Sequence, residues 1–404
     1  MPRSLSTFQR YLVVVLCAIV HGLNHSFAAS LVPLYEQMRA DFGLLNVAPV
    51  TLLFTISAVV YCITSLPYGY LADRMSRKWL VAGGMFAYSL AFLALAFSES
   101  YGAAMLWLIV GGVAGGSFHP PANALVAGML PERVGLAMGI SGMGSALGFF
   151  LGPQVGGWLG EMHGWRYSCL MFSLAGFFMS AVFAVFGRDA PGDDVQRSGQ
   201  NVFRFHRMLV VLLVVLGVVF SMRDFSGWGS NTLTSLYMLR ALDFSESRTG
   251  LYLGLINLAG LAAMPLLGRL SDLGKRGYWV TGTLLMCGVF VSLIPRWPAQ
   301  LLPLGLMIFG FWLSGSICVV DAAIAETVPP YARGRMFGLV MTFGGVVVGN
   351  APFVMGLLVD HMGEGAELAQ TYFPVYAVLG LIFCAPAFGI PLVLRLVRRL
   401  SAEQ

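Results

Sequence analysis

The sequence predicts an all-α integral membrane protein whose twelve transmembrane helices form two six-helix, pseudo-symmetric bundles. Three observations lead there. The composition is 57% hydrophobic and only 11% charged, against about 25% charged residues in soluble domains. Twelve runs reach the roughly 20 apolar residues that a helix needs to cross a bilayer. Finally, the two halves repeat each other. A soluble globular protein is excluded, and the 49 glycines suit closely packed membrane helices.

The runs lie near 11–34, 47–71, 79–98, 103–128, 133–160, 165–187, 208–238, 248–270, 278–295, 300–326, 335–359 and 371–395. The first has no small-residue cleavage site and continues through polar positions, so it is read as a retained helix and not a signal peptide. Between the sixth and seventh runs, "GRDAPGDDVQRSGQNVFRFHR" is the one long polar stretch. This sets the expected organisation: an N-terminal bundle 1–187, a cytoplasmic linker 188–207 and a C-terminal bundle 208–404.

At an offset of 199, Gly69/Gly268, Asp73/Asp272, Arg77/Arg276, Pro131/Pro330, Gly135/Gly334, Gly139/Gly338, Pro153/Pro352, Gly157/Gly356 and Gly164/Gly363 coincide. Nine matches at one offset, an Asp and an Arg among them, identify a duplicated six-helix unit. Parallel repeats of this kind belong to two-bundle transporters with a site between the halves. Placing the N-terminus inside puts eighteen of the twenty-four Lys and Arg on the cytoplasmic side and five on the other. That positive-inside bias predicts two cytoplasmic termini and a bacterial inner-membrane location. The net charge of +5 is thus a topology signal and no nucleic-acid patch.

One basic residue, Arg223, has neither a loop nor a terminus. It stands beside Asp224 in "MRDFSGWGSN", after the run "MLVVLLVVLGVVF" (208–220). Each charge at a helix centre costs about 2.5 to 3.5 kcal/mol, while each Leu, Ile, Phe or Val returns about 0.3 to 0.6. The pair must therefore face a cavity or a partner. Further polar residues sit at membrane depth. His21, Asn24 and His25 share one face of the first helix at i, i+3, i+4. His119 and Asn123 follow in the fourth, beside Pro120 and Pro121; Asp224, Trp228 and Asn231 share a face of the seventh; Asp321 lies towards the inner end of the tenth. The histidines read equally as satisfied buried hydrogen-bonding groups, and Trp228 equally as packing.

The loop "GYLADRMSRK" (Gly69, Asp73, Arg74, Arg77, Lys78) resembles the signature loop of the major facilitator superfamily, with Ser76 where a glycine is usual. "GRLSDLGKRG" is its second copy, keeping Asp272 and Arg276. The resemblance implies a cytoplasmic gate held by a breakable charge contact, with the glycine letting two helices approach. "GISGMGSALGFFLGPQVGG" places Gly139, Gly148, Gly152, Pro153, Gly156 and Gly157 as in the superfamily's antiporter motif, which implies a bent helix at the outer gate. Glu326 and Arg333 of "ETVPPYAR" read as inner-gate charges. In the superfamily the first, fourth, seventh and tenth helices line the central cavity, which makes His21, Asn24, His25, His119, Asn123, Arg223, Asp224, Trp228, Asn231 and Asp321 the candidate substrate and proton site.

A narrower resemblance, carried by "HGLNHSFAASLVPLY", "GGSFHPPANALVAGM" and "GLLVDHMG", points to the fosmidomycin-resistance branch of drug exporters. Here His25, Pro121 and Ala124 stand where that branch has an acid, a Glu and an Arg. The fourth helix also lacks the membrane Arg of drug/proton antiporters. Six cysteines lie in apolar runs with no CxxC and no His/Cys pairing, so neither disulfide nor metal is expected. Enzyme motifs are absent in usable context. The expectation is a monomeric secondary transporter with no cofactor, in contact with the lipid bilayer, a small solute and protons. It exports an anionic or amphiphilic solute in exchange for a proton, with the proton gradient as the energy source. Import of an organic acid, or a non-transporting sensor, remain the alternatives.

Overall fold

A computed structural model describes residues 5–72, 74–131, 133–190, 207–272, 275–325, 342 and 344–402. Among them, eleven segments are long and apolar enough to cross a membrane. The long helix Arg207–Arg240 takes the remaining, seventh place in the series. No strand occurs among the described residues. The protein is a multi-pass membrane protein, and its spans follow the apolar runs to within a few residues.

Where the structure departs from the expected runs, proline and glycine are the cause. The first span continues past its helix Thr7–Ser30 through a 3-10 turn, Val32–Leu34, into Tyr35–Asp41, with Pro33 inside the turn. The fourth is two helices, Tyr101–Gly115 and His119–Met129. Pro120 and Pro121 lack the N–H groups that a continuous helix would use, so they sit where a new helix begins. The break makes His119 the first residue of its segment. The eighth span likewise divides at Ala259 into Glu246–Leu258 and Gly260–Asp272. The twelfth divides at Phe383 into Phe373–Ile382 and Cys384–Ala402.

The fifth span, Val134–His163, organises the bundle. Along the first span it meets Ala18, Gly22, Ser26 and Ser30 with Gly144, Gly148, Gly152 and Gly156, two ladders of small residues at a spacing of four. A Cβ on Gly144 would lie 1.9 Å from the Ala18 carbonyl oxygen, and one on Gly148 2.1 Å from that of Gly22. Its other side meets the opposite half, where Gly157 would place a Cβ 2.3 Å from the carbonyl oxygen of Glu246. Gly250 would place one 2.0 Å from that of Pro153. Backbones that approach this closely leave room for hydrogen only.

The internal repeat is visible in the backbone. Gly164 and Gly363, at the same offset, both turn through positive φ, +86° and +55°. Gly356, the counterpart of Gly157, packs on Ala48 and Thr51 of the second span. By contrast, Gly69 and Gly268 have ordinary room, their nearest neighbours being Pro120 Cβ at 3.6 Å and Cys318 Cβ at 3.9 Å. The close approach expected at these two signature-loop glycines is absent. All six cysteines are free.

Gly144→Val should lower the melting temperature of the detergent-solubilised protein through overpacking worth about 1–3 kcal/mol. Gly139→Ala and Gly142→Ala have nothing within 4 Å. They should leave it unchanged or raise it slightly, since replacing a mid-helix glycine by alanine favours the helix by about 0.5–1 kcal/mol. Equal losses in all three variants would show that the ladder is not a steric constraint.

Candidate functional site

The polar residues of the first, fourth and seventh spans converge midway along the bundle. His21 and His25 lie near the centre of the span Thr7–Asp41, and Arg223 and Asp224 at the middle of Arg207–Arg240. The His21 ring centroid is 4.9 Å from those of both His25 and His119, and His25 and His119 are 5.3 Å apart. His21 Nδ1 lies 2.8 Å from the Ser141 carbonyl oxygen. A carbonyl only accepts, so Nδ1 carries the proton and Nε2 holds the lone pair. That Nε2 is 3.1 Å from His25 Nε2. Asn24 is buried, accepts from Tyr61 Oη at 3.1 Å and donates to the Gly115 carbonyl at 3.4 Å. Asn123, one turn beyond His119, is partly exposed.

Aromatic rings join this cluster to the other half. His25 stacks on Phe149 at 4.4 Å, and Phe149 meets Trp228 edge-on at 5.5 Å. Trp228 is 41% exposed, yet its ring faces the N-terminal half, into the space between the bundles and not away from them.

Arg223 and Asp224 are paired with each other. Arg223 Nε and Nη2 donate to the same Asp224 oxygen, at 2.8 and 2.6 Å. The Arg side chain is 3% exposed and the Asp 24%. Arg223 also lies over the Phe220 ring at 4.4 Å. The sequence suggests that neighbours about 100° apart serve different partners, with Arg223 anchoring Asp321. The flexible guanidinium instead folds back onto the adjacent carboxylate. Asp321 stands within electrostatic range of both charges, but its Oδ1 is buried with no hydrogen-bond partner, as are Arg223 Nη1 and Asn231 Oδ1. Arg223 Nη1 and Asp321 Oδ1 thus keep hydrogen-bonding capacity free within one charged cluster, and Asn231 Oδ1 does so further along the seventh span.

The halves are clasped on the face away from the termini. Glu161 Oε2 accepts from the Ser247 N–H at 2.9 Å, and Asp360 accepts from the Val47 and Ala48 N–H groups at 2.9 and 2.7 Å. Glu161 and Asp360 are themselves 199 apart. Each carboxylate ends one half's span and caps the first turn of a helix in the other, where free N–H groups attract negative charge. Around them, Glu36 binds Arg39 of its own half and Arg240 of the other. Gln37 bridges to Glu246 at 3.2 Å, and the Ser235 hydroxyl donates to the Val32 carbonyl at 2.9 Å.

At the opposite face, Asp189 accepts from the Ser76 hydroxyl at 2.5 Å and from the Lys78 N–H at 2.9 Å. It ties the signature loop to the end of the sixth span. Arg74 covers the Tyr70 ring at 3.4 Å. Arg77 donates to the Ala72 carbonyl and Arg276 to the Ser271 hydroxyl, five residues back in both repeats. Asp73, Glu326, Arg333 and the side chain of Asp272 lie outside the described residues.

Sequence comparison now decides the family. The model of the Major Facilitator Superfamily matches residues 14–230 and again 216–403. The chain belongs to the major facilitator superfamily. It is a membrane transporter and not an enzyme. It is 22% identical over 373 residues to the fosmidomycin resistance protein of Escherichia coli (strain K12), covering 90% of both chains. It is 24% identical over 413 residues to the probable galactarate/D-glucarate transporter GudP of Bacillus subtilis (strain 168), covering 90% of this chain and 88% of that one. In fold it is similar to a bacterial homolog of the human lysosomal transporter Spinster, crystallised inward-facing and unoccupied. The TM-score is 0.75 at 15% identity, with 98% of each chain covered.

Sequence reasoning missed Tyr61, Phe149, Ser141, Asp189 and the carboxylates Glu161 and Asp360. Only the last two carried a signal, the shared 199-residue offset. The others are ordinary residues of apolar runs or of a polar linker.

Two measurements test these contacts. Arg223→Met alone should destabilise by about 3–5 kcal/mol, whereas Arg223→Met with Asp224→Leu should recover most of it, because the loss comes from the stranded charge. Each lost carboxylate cap should favour opening of the clasped face by about 1 kcal/mol, roughly fivefold. A cysteine at Val32, buried there, should then react faster with an impermeant maleimide in Glu161→Ala and Asp360→Ala, and faster still in the double variant. Unchanged labelling would mean that the caps do not hold the face shut.

Proposed function

We propose that this superfamily member exports a small anionic or amphiphilic organic solute across the bacterial inner membrane in exchange for protons. It works as a monomer with both termini cytoplasmic, and the two bundles rock about the midplane site. The observation that carries this reading is the orphaned Asp321 Oδ1 beside the Arg223–Asp224 pair. A carboxylate oxygen buried without a hydrogen-bond donor has room for a proton of its own. Asp224 already has Arg223 as its counter-ion, which makes Asp321 the better carrier of the two. The unpartnered Arg223 Nη1 offers a donor to an anionic group on the solute. Binding of that group and proton release from Asp321 are then coupled, because both alter the charge around one guanidinium. Trp228 and Phe149 supply the apolar wall.

The carboxylate caps serve as the outer gate and the signature loops, with Glu326 and Arg333, as the inner one. The two relatives favour different readings: the name of the first, a resistance protein, fits export of a toxic compound, and that of the second, a galactarate/D-glucarate transporter, fits a metabolite carrier. The proton makes the distinction measurable. In proteoliposomes carrying a pH-sensitive dye in the lumen, solute entry by antiport alkalinises the lumen, and entry by symport acidifies it. Alkalinisation on adding the transported solute is the expected result, and acidification would replace export by import. Asp321→Asn should keep solute binding and lose proton movement. A variant that still moved protons with solute at the wild-type rate would remove Asp321 as carrier.

A further inference from the structure

The three membrane histidines carry a chemistry that neither the gate nor the proton carrier uses. His21, His25 and His119 each present one ring nitrogen, and these atoms all lie within 4.8 Å of one another. We propose that they form a transition-metal site for a divalent ion that prefers imidazole, such as Zn²⁺, Co²⁺, Ni²⁺ or Cu²⁺. The inference stands on the imidazoles alone and does not rest on the export reading.

Four features of the geometry point to it. First, His21 and His25 are four residues apart on one helical face, the spacing at which two imidazoles take one ion. Second, the backbone carbonyl of Ser141 holds the His21 Nδ1–H and leaves Nε2 as a directed lone pair. A ligating histidine characteristically has such a partner, which fixes its tautomer and ring plane. Third, His21 Nε2 and His25 Nε2 stand 3.1 Å apart. In a tetrahedral shell with metal–nitrogen bonds of 2.0–2.1 Å the ligand nitrogens are about 3.3 Å apart, so these two are already close to ligating separation. In the metal-free site a proton fills that gap: His25 Nε2–H donates to His21 Nε2, and a metal replaces it once His25 carries its proton on Nδ1. Bringing the remaining nitrogen in from 4.8 Å takes a movement of about 1.5 Å to reach that spacing. Fourth, the helix that begins at His119 sets its ring against both others, with centroids 4.9 Å from His21 and 5.3 Å from His25.

The donor set selects the ion class. Three neutral nitrogens, with no carboxylate in the cluster, suit borderline metals and not Mg²⁺ or Ca²⁺, which require oxygen. Asn24, the nearest amide, is committed to Tyr61 and Gly115. Three protein ligands leave a fourth position, which would face the partly exposed side of His25 and His119. There a water, a chloride or an anionic oxygen of a solute completes the shell. The sequence conceals the site because its third ligand is 94 residues from the second.

Co²⁺ is the probe, because a tetrahedral nitrogen-ligated ion shows intense visible bands. Protein purified through a tag free of histidine is titrated with Co²⁺ in detergent, with no solute and no gradient. One equivalent should bind with tetrahedral bands, and Zn²⁺ should displace it. His25→Asn and His119→Asn should each weaken binding at least tenfold. A variant with His163, His206 and His361 all changed to Asn should bind as the wild type does. Melting curves of the metal-free variants identify any that fail to fold, and His25→Gln then provides the second ligand deletion. Absence of stoichiometric binding to the wild type, or binding retained in the folded His25→Asn, His119→Asn double variant, overturns the proposal. Solute-driven proton movement in proteoliposomes is a separate readout, so either reading can fail alone.

Discussion

The close passage of the fifth span between the first span and the eighth governs the rest of the architecture. On one side, glycines at a spacing of four let it lie against its own half at backbone distance. On the other, Gly157 and Gly250 let it touch the opposite half just as closely. The helix thus touches its own half on one side and the opposite half on the other, and the seam between the bundles runs along it. Pro153, whose carbonyl meets Gly250, lacks an N–H for the helix ladder and allows the helix to bend within this contact region. The ring of Phe149 is placed by the same helix and projects to His25 on one side and Trp228 on the other. Packing and site geometry therefore depend on a single element.

The two halves contribute unlike chemistry to the centre. The N-terminal bundle brings three imidazoles, an amide and a phenol. The C-terminal bundle brings a guanidinium, two carboxylates and an indole. Formal charge thus sits in one bundle only, which limits the desolvation cost in the other. Arg223 and Asp224 share that cost by forming a charge-assisted pair buried against Phe220. Asp321 is the third member, close enough to feel both charges and yet unpaired at Oδ1. Such an arrangement leaves hydrogen-bonding capacity free at both Asp321 and Arg223, next to a pair that is already satisfied.

Much of this was legible in the chain. Apolar length fixes the spans, and cost at membrane depth singles out Arg223, Asp224 and Asp321 whatever their partners. The 199-residue offset makes the duplication plain. What composition and spacing do not encode is which neighbour a flexible side chain selects. Arg223 could have reached Asp321 and instead folds onto Asp224. Nor does a glycine declare whether it is sterically needed: Gly148 is, whereas at Gly69, inside the more familiar motif, a Cβ would meet only Pro120 at 3.6 Å. Spacing and helix number put His21, His25 and His119 in one cavity, but they could not give the distance between rings that come from different helices.

The clasp on the face away from the termini has a property beyond its strength. Glu161 and Asp360 supply acceptors, but the donors are main-chain N–H groups of Ser247, Val47 and Ala48. No substitution of these donor residues short of proline removes them. These three contacts therefore ask for a particular side chain only on the acceptor side, one acid from each half. The repeat holds an acid at both positions, Glu161 and Asp360, and each reaches across to the other half.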